Sequence, residues 1–164
     1  MLRTSAMILA AVFALPLNAW AHGPAKDAPK AQKKAISTEE KSFGREGNPR
    51  KVSRTLTVDM ADTLRFSPAE ISVKRGETIR FVVKNSGKLM HEMVLGTMTG
   101  LKEHAEVMKK HPGMEHDEPY MAHVAPGKEE VIVWQFTKLG EYHYACLIPG
   151  HLEAGMIGKV EVTE

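Results

Sequence analysis

The chain has 164 residues, a formal net charge of +2 and 43% hydrophobic residues, which is enough for one domain with a single core. Its single cysteine excludes an internal disulfide and argues against zinc-finger-type sites and two-cysteine copper sites. The near-neutral charge gives no basic footprint of the kind that nucleic-acid binding requires, so we expect no nucleic-acid partner.

The first 21 residues are typical of a secretory signal peptide. Arg3 provides a positively charged start, residues 6–17 are largely apolar, and residues 19–21 read Ala-Trp-Ala, an A-x-A cleavage motif. The apolar run is too short for a transmembrane helix. We therefore expect cleavage after Ala21 and an exported, periplasmic protein without a membrane span.

Residues 22–51 are rich in Ala, Lys, Pro and Gly, with eight basic and four acidic residues. This composition predicts a flexible basic leader outside the core. Cleavage after Ala21 would make His22 the first residue, and an amine and an imidazole on one residue can chelate a metal. A chance histidine beside the cleavage site is the simpler interpretation, and both stay open.

Short alternating apolar runs recur from Val52 onward, separated by turn residues. They predict strands over residues 52–58, 70–74, 78–84, 90–95, 128–136, 140–146 and 157–162. Short runs of period two between turn signals indicate an all-β sandwich or barrel. We expect residues 52–164 to form one such domain.

Residues 99–125 interrupt the alternation. Leu101, Ala105 and Met108 recur at helical spacing, and Pro112-Gly113 predicts the end of that helix. Residues 114–125 read as a polar loop. We expect a helix-containing insertion that joins the two halves of the sandwich.

The segment 142–158 combines three soft metal donors between two predicted strands. Cys146, His151 and Met156 follow one another at intervals of five residues. Thiolate, imidazole and thioether suit copper, and a His₂Cys plane with a weak axial Met is the geometry of electron-transfer copper sites. A core role for Cys146 and Met156 is the alternative, but their grouping in one Gly/Pro-rich loop favours copper.

This donor set lacks one histidine. His91 follows a turn at residues 85–87 and opens a predicted strand, so a sandwich can bring it beside the loop. His143 is a weaker candidate, because the alternation of a strand puts it on the face opposite Cys146.

With these motifs, residues 68–95 and 126–163 resemble the cupredoxins, and most of all the periplasmic cupredoxins of bacterial copper-tolerance systems. The most specific motifs are Gly-Glu-Tyr-His-Tyr-Ala-Cys at 140–146 and Gly-His-Leu-Glu-Ala-Gly-Met at 150–156. The resemblance implies a Greek-key β-sandwich with one type 1 copper ion, whose ligands are His91, Cys146, His151 and Met156. It also implies one-electron transfer rather than enzymatic turnover, with a redox partner or a copper-handling protein as partner. We expect a monomer.

Two features depart from simple expectations. The spacing Cys-x₄-His-x₄-Met also resembles the mononuclear copper loop of multicopper oxidases. Those enzymes flank the cysteine with two histidines, whereas this chain has Ala145 and Leu147, which argues against an oxidase or reductase. In addition, Glu92 stands where many small blue copper proteins carry an Asn that pins the ligand loop, so the surroundings of the metal differ here.

The insertion is rich in Met and His. His104, Met108 and His111 are spaced by four and three residues and so share one helix face, and His116 follows. These residues predict a second, labile copper site, which favours copper buffering or sequestration as an alternative function. In the other interpretation Met108 packs in the core and the histidines are solvated, and both remain open.

Overall fold

The computed structural model describes residues 35–111, 114 and 116–164. The predicted signal peptide, its cleavage site and His22 lie outside the described residues. Within those ranges, no helix combines the length and the apolar character needed to cross a bilayer.

The described residues form eleven strands and one helix. In chain order the strands are β1 (Glu40–Lys41), β2 (Gly44–Glu46), β3 (Arg54–Ala61), β4 (Arg65–Ser67), β5 (Glu70–Lys74), β6 (Thr78–Asn85), β7 (His91–Gly96), β8 (Met121–Val124), β9 (Glu129–Gln135), β10 (Gly140–Ala145) and β11 (Ile157–Thr163), and the helix α1 (Met98–Lys110) lies between β7 and β8.

The strands make two sheets. A six-stranded sheet has the order β1-β2-β9-β6-β3-β4, and a five-stranded sheet has the order β5-β11-β10-β7-β8. The pairs β3–β6 and β5–β11 are parallel, and the other pairs are antiparallel. This arrangement confirms the predicted all-β class with one short helix.

The core lies between the sheets and follows from the alternation seen in the sequence. The largest fully buried side chains come from both sheets and include Trp134, Tyr144, Phe81 and Phe136. Phe81 and Phe136 meet edge to face, with ring centroids 6.3 Å apart. Such aromatic pairs add about 1 kcal/mol beyond the burial of their area.

The prediction of a flexible leader was wrong for its second half. Strand β2 pairs with β9, and Phe43 just before it is buried. The Phe43 ring stacks on Trp134 with centroids 5.0 Å apart, and Trp134 Nε1 donates to the Phe43 carbonyl at 3.0 Å. A leader of polar composition therefore joins the sandwich through strand pairing and one buried aromatic side chain, which composition does not reveal.

The helix predicted in the insertion is present, but the prediction of a loop throughout residues 114–125 was wrong. Helix α1 begins after Thr97, whose hydroxyl accepts from the Gly100 N–H at 3.1 Å, and it buries the predicted apolar face. Residues 121–124, however, form β8 at the edge of the five-stranded sheet, paired with β7. Four residues are too short a run for the alternation to stand out in a polar segment.

Candidate metal centre

The sandwich brings three sequence-predicted ligands together at one end of the five-stranded sheet. His91 is the first residue of β7, Cys146 follows the last residue of β10, and His151 lies in the loop between β10 and β11. Because β7 and β11 both pair antiparallel with β10, the start of β7, the end of β10 and the start of β11 lie at the same end of the sheet. The fold therefore supplies the histidine that the loop alone lacks.

One nitrogen of each histidine and the Cys146 sulfur lie within 4.8 Å of one another. Cys146 Sγ is 3.2 Å from His151 Nδ1, and the His91 and His151 rings have centroids 5.1 Å apart. His91 Nδ1 is buried and has no hydrogen-bond partner. A buried imidazole nitrogen without a partner is costly unless a metal takes its lone pair, so this donor set fits copper.

The ring of His91 is held from its other side. His91 Nε2 lies 3.3 Å from Asp62 Oδ1, and the Asp62 carboxylate also accepts from the Lys88 and Leu89 N–H groups, which lowers the pKa of Asp62. The buried Asn85 carboxamide donates to the Leu89 carbonyl at 2.8 Å. These contacts fix the turn before His91, so the side chain is oriented before any metal binds.

The loop between β10 and β11 is shaped by its own backbone. Gly150 and Gly155 have φ values of +92° and +90°, which residues with a Cβ rarely adopt. The His151 N–H donates to the Ile148 carbonyl at 2.9 Å, and Arg65 on β4 donates to the Ala154 carbonyl at 2.8 Å. The loop is therefore a compact turn braced from the neighbouring sheet.

Met156, the predicted axial ligand, is fully buried directly before β11. The Cys146 N–H donates to the Met156 carbonyl at 3.2 Å, and the Met156 N–H donates to the His151 carbonyl at 2.9 Å. The backbone thus places Met156 beside the other two loop residues. Its role as a ligand remains a prediction.

Burial controls the protonation of the site when it holds no metal. It raises the pKa of the Cys146 thiol to about 12, although the Glu92 and Ile148 N–H groups act in the opposite direction. Burial and the nearby His91 lower the pKa of His151, which favours a neutral ring. Metal binding must therefore displace the thiol proton, whereas His151 is already in the form that binds metal.

Glu92 is buried directly after His91 and faces the cysteine loop. Its Oε1 accepts from the Leu147 N–H at 2.8 Å, and its own N–H points at Cys146 Sγ at 3.5 Å. Oε2 lies 3.0 Å from Nδ1 of His123 on β8. Burial raises the pKa of Glu92, and the charge of His123 opposes this shift.

The predicted second cluster is assembled only in part. His104 Nε2 on α1 lies 2.8 Å from His116 Nε2, and the His116 Nδ1 is buried without a partner. Burial, and then the neighbouring His116, lower the pKa of His104. Met108 is buried on α1 and His111 is exposed at the end of the helix, and their part in a second site remains a prediction.

Sequence reasoning identified the residues of the copper loop but missed the side chains around them. Asp62 and His123 carried no signal, because each depends on a partner about 30 residues away in the chain. His143, the weaker histidine candidate, instead lies 3.5 Å from Glu141 on its own strand.

The sequence matches a family model described as copper-binding proteins of the plastocyanin/azurin family, over residues 52–163. A copper-resistant cuproprotein CopI from Rubrivivax gelatinosus is 48% identical over 164 residues, covering 98% of this chain and 96% of the relative. A protein of the same name from Pseudomonas aeruginosa is 35% identical over 150 residues, covering 74% and 82%.

Solved structures with the same fold include an auracyanin and an azurin. Dithionite-reduced auracyanin from Roseiflexus castenholzii aligns with a TM-score of 0.60 and 22% identity, covering 69% of this chain and 99% of that one. An azurin from Methylomonas sp. strain J aligns with a TM-score of 0.54 and 22% identity, covering 69% and 100%. At this identity the likeness shows the fold alone, and it confirms the cupredoxin-like sandwich.

Proposed function

The chain belongs to the plastocyanin/azurin family of copper-binding proteins, and on that premise we propose that it is an exported protein that transfers single electrons at one type 1 copper ion and serves copper tolerance in the periplasm. The observation that carries this proposal is the cluster of His91, Cys146 and His151, whose ligand atoms lie within 4.8 Å of one another.

In this proposal His91, Cys146 and His151 would hold the ion, and Met156 would be a fourth, weaker ligand. Bound copper supplies the exchange of one electron between Cu(II) and Cu(I). The chain keeps the donor geometry fixed in both states, since Asp62 orients His91 and the braced loop holds the other ligands. Burial of Cys146 excludes water from the sulfur and protects it from oxidation.

Visible spectroscopy of the copper-loaded mature protein tests this assignment. We expect an intense sulfur-to-copper charge-transfer band in the oxidised protein, which reduction bleaches and Cys146→Ala abolishes. His143→Gln is the matched control, because it changes a histidine on β10, the strand that Cys146 follows, that is not part of the cluster. This variant should keep the band. A colourless copper-loaded wild type would contradict the proposal.

The link to copper tolerance rests on the relatives that carry the name copper-resistant cuproprotein. We expect a strain without the gene to become sensitive to added copper and to keep normal respiration. Complementation with the wild type should restore growth, and complementation with Cys146→Ala should not. Loss of a respiratory activity at ordinary copper levels would instead favour an electron carrier without a role in tolerance.

A second function, copper buffering at an additional site, is favoured by the 2.8 Å contact between His104 Nε2 and His116 Nε2. Two imidazole nitrogens this close, beside an unpartnered buried His116 Nδ1, suit a cation that binds nitrogen. The site would lie between α1 and the segment that precedes β8.

An anaerobic Cu(I) titration in the Cys146→Ala background tests this additional site while the first one is weakened. Removing His104 and His116 together should lower the copper stoichiometry by about one ion, because imidazole supplies the ligands. Removing the exposed His111 is the matched control and should change nothing. Identical binding curves for all three variants would end the idea of a second site.

A further inference from the structure

Glu92 is the one acidic residue among the buried side chains of the described chain. Burying a carboxylate costs several kcal/mol unless its oxygens are bonded, and removing a partner from such a group is strongly destabilising. Both Glu92 oxygens have partners, but on opposite sides: Leu147 in the cysteine loop and His123 on β8. Nothing in the proposed copper chemistry itself requires His123.

The sheet register explains this arrangement. Glu92 on β7 faces His123 directly across the β7–β8 pair, and β7 pairs with β10 on its other side. Glu92 on the inner strand β7 therefore connects His123 on the edge strand β8 to Leu147, the residue that follows Cys146. The Leu147 N–H donates to the Glu92 carboxylate at 2.8 Å. A movement of the carboxylate would therefore displace the backbone next to Cys146.

The chain of contacts continues beyond β8. His123 Nε2 lies 3.4 Å from the His116 carbonyl, and His116 in turn touches His104. His123 is 33% exposed and is not part of the His91–Cys146–His151 cluster, whereas Glu92 is 3% exposed. Hydrogen bonds in a buried environment are electrostatically stronger than exposed ones, and the members of a buried network polarise one another.

We propose that His123 is a positioning residue that acts on the copper centre through Glu92, and so joins the cysteine loop to the segment that carries the His104–His116 pair. The inference rests on the proposed function in taking Cys146 as a copper ligand. His123 holds Glu92 Oε2, Glu92 Oε1 holds the Leu147 N–H, and the Glu92 N–H faces the cysteine sulfur.

The test compares wild type, His123→Phe, Glu92→Leu and the double variant in the full mature chain. His123→Phe keeps the ring and removes both nitrogens. His143→Phe is the matched control, since it removes a half-buried histidine from a Glu141 contact in the same sheet, away from the cysteine loop. Copper content and thermal unfolding establish that each variant is folded and loaded.

Two readouts distinguish positioning from general stability. In copper-loaded protein we expect His123→Phe to shift the sulfur-to-copper band and the reduction potential, and His143→Phe to leave both unchanged. In metal-free protein we expect at least about tenfold faster hydrogen exchange at the Leu147 amide in both single variants, since its acceptor is lost or displaced. Adding His123→Phe to Glu92→Leu should produce no further change in either readout.

The proposal is overturned if His123→Phe matches wild type in either readout, or if its effects add fully to those of Glu92→Leu. Should His123→Phe fail to fold, His123→Asn is judged by the same criteria. The metal-free exchange measurement separates this inference from the proposed function. A colourless copper-loaded wild type would contradict the copper assignment. An unchanged exchange rate of the Leu147 amide in His123→Phe would contradict the role of His123.

Discussion

The buried thiol of Cys146 predicts that the metal-free protein loses stability at alkaline pH. Burial raises the Cys146 pKa from 9.0 to about 12, so the unfolded chain ionises its thiol while the folded chain keeps it neutral. A folded-state pKa above the unfolded value means that the full stability is present below pH 9 and is lost as the pH rises toward 12.

The size of the effect follows from linkage. Each pH unit between 9 and 12 should lower the free energy of unfolding by about 1.4 kcal/mol, which gives about 2 kcal/mol at about pH 10.5 and about 4 kcal/mol in the limit. This is a large share of the roughly 5 to 15 kcal/mol that stabilises an ordinary domain.

The assay is urea unfolding of metal-free, reduced protein at a series of pH values, for wild type and for Cys146→Ala. Tyrosines and lysines titrate in the same range, but they do so in both proteins, so the difference between the two curves isolates the thiol. The cavity in the variant lowers its stability by an amount that does not depend on pH. Wild type should lose about 2 kcal/mol more than the variant from pH 8.5 to about pH 10.5.

Parallel curves for wild type and Cys146→Ala would refute the reasoning. They would mean that the thiol has the same pKa in the folded chain as in the unfolded chain. The copper-loaded wild type provides an internal control. Its sulfur is already deprotonated by coordination, so its alkaline loss of stability should follow that of the variant.

Three further predictions concern the packing of the sandwich and the contact beside His91. Phe43→Ala should lower the free energy of unfolding by about 3 kcal/mol in urea, since it leaves a cavity at the core, and an unchanged midpoint would show that the leader strands add no stability. Asp62→Asn should raise the reduction potential in a redox titration, because a negative charge beside His91 favours Cu(II); a lowered potential would contradict this. Gly158→Ala should cost roughly 3 kcal/mol in thermal or urea unfolding, since its Cβ would lie 2.2 Å from ring atoms of Tyr144, and wild-type stability would contradict the packing.

The sequence determined the loop donors of the site because they are neighbours along the chain. Cys146, His151 and Met156 share one connection between adjacent strands, so their spacing is itself geometric information. His91 could also be predicted from the sequence, because a histidine that opens a strand after a turn lies at an end of the sheet. The class of fold followed for a similar reason, since period-two alternation records which face of each strand is buried.

Only the tertiary structure decided which distant residues surround those donors. Phe43 and Trp134 stack although 91 positions separate them, and composition assigned Phe43 to a flexible leader. Strand β8 likewise exists because β7 offers it a partner, and four polar-flanked residues carry too weak a pattern to predict it.

The same limit applies to the charged and polar groups that orient the ligands. Asp62 and His123 carry no local signal, and the sequence marked Glu92 by its position after His91 but not by its partners; each acquires its role from a contact with a residue distant in the sequence. The pairing of His104 with His116 depends on the tertiary packing that places His116 against α1. Local spacing reports the donors of a metal site, whereas the network that holds and tunes them depends on register and packing, which no local pattern encodes.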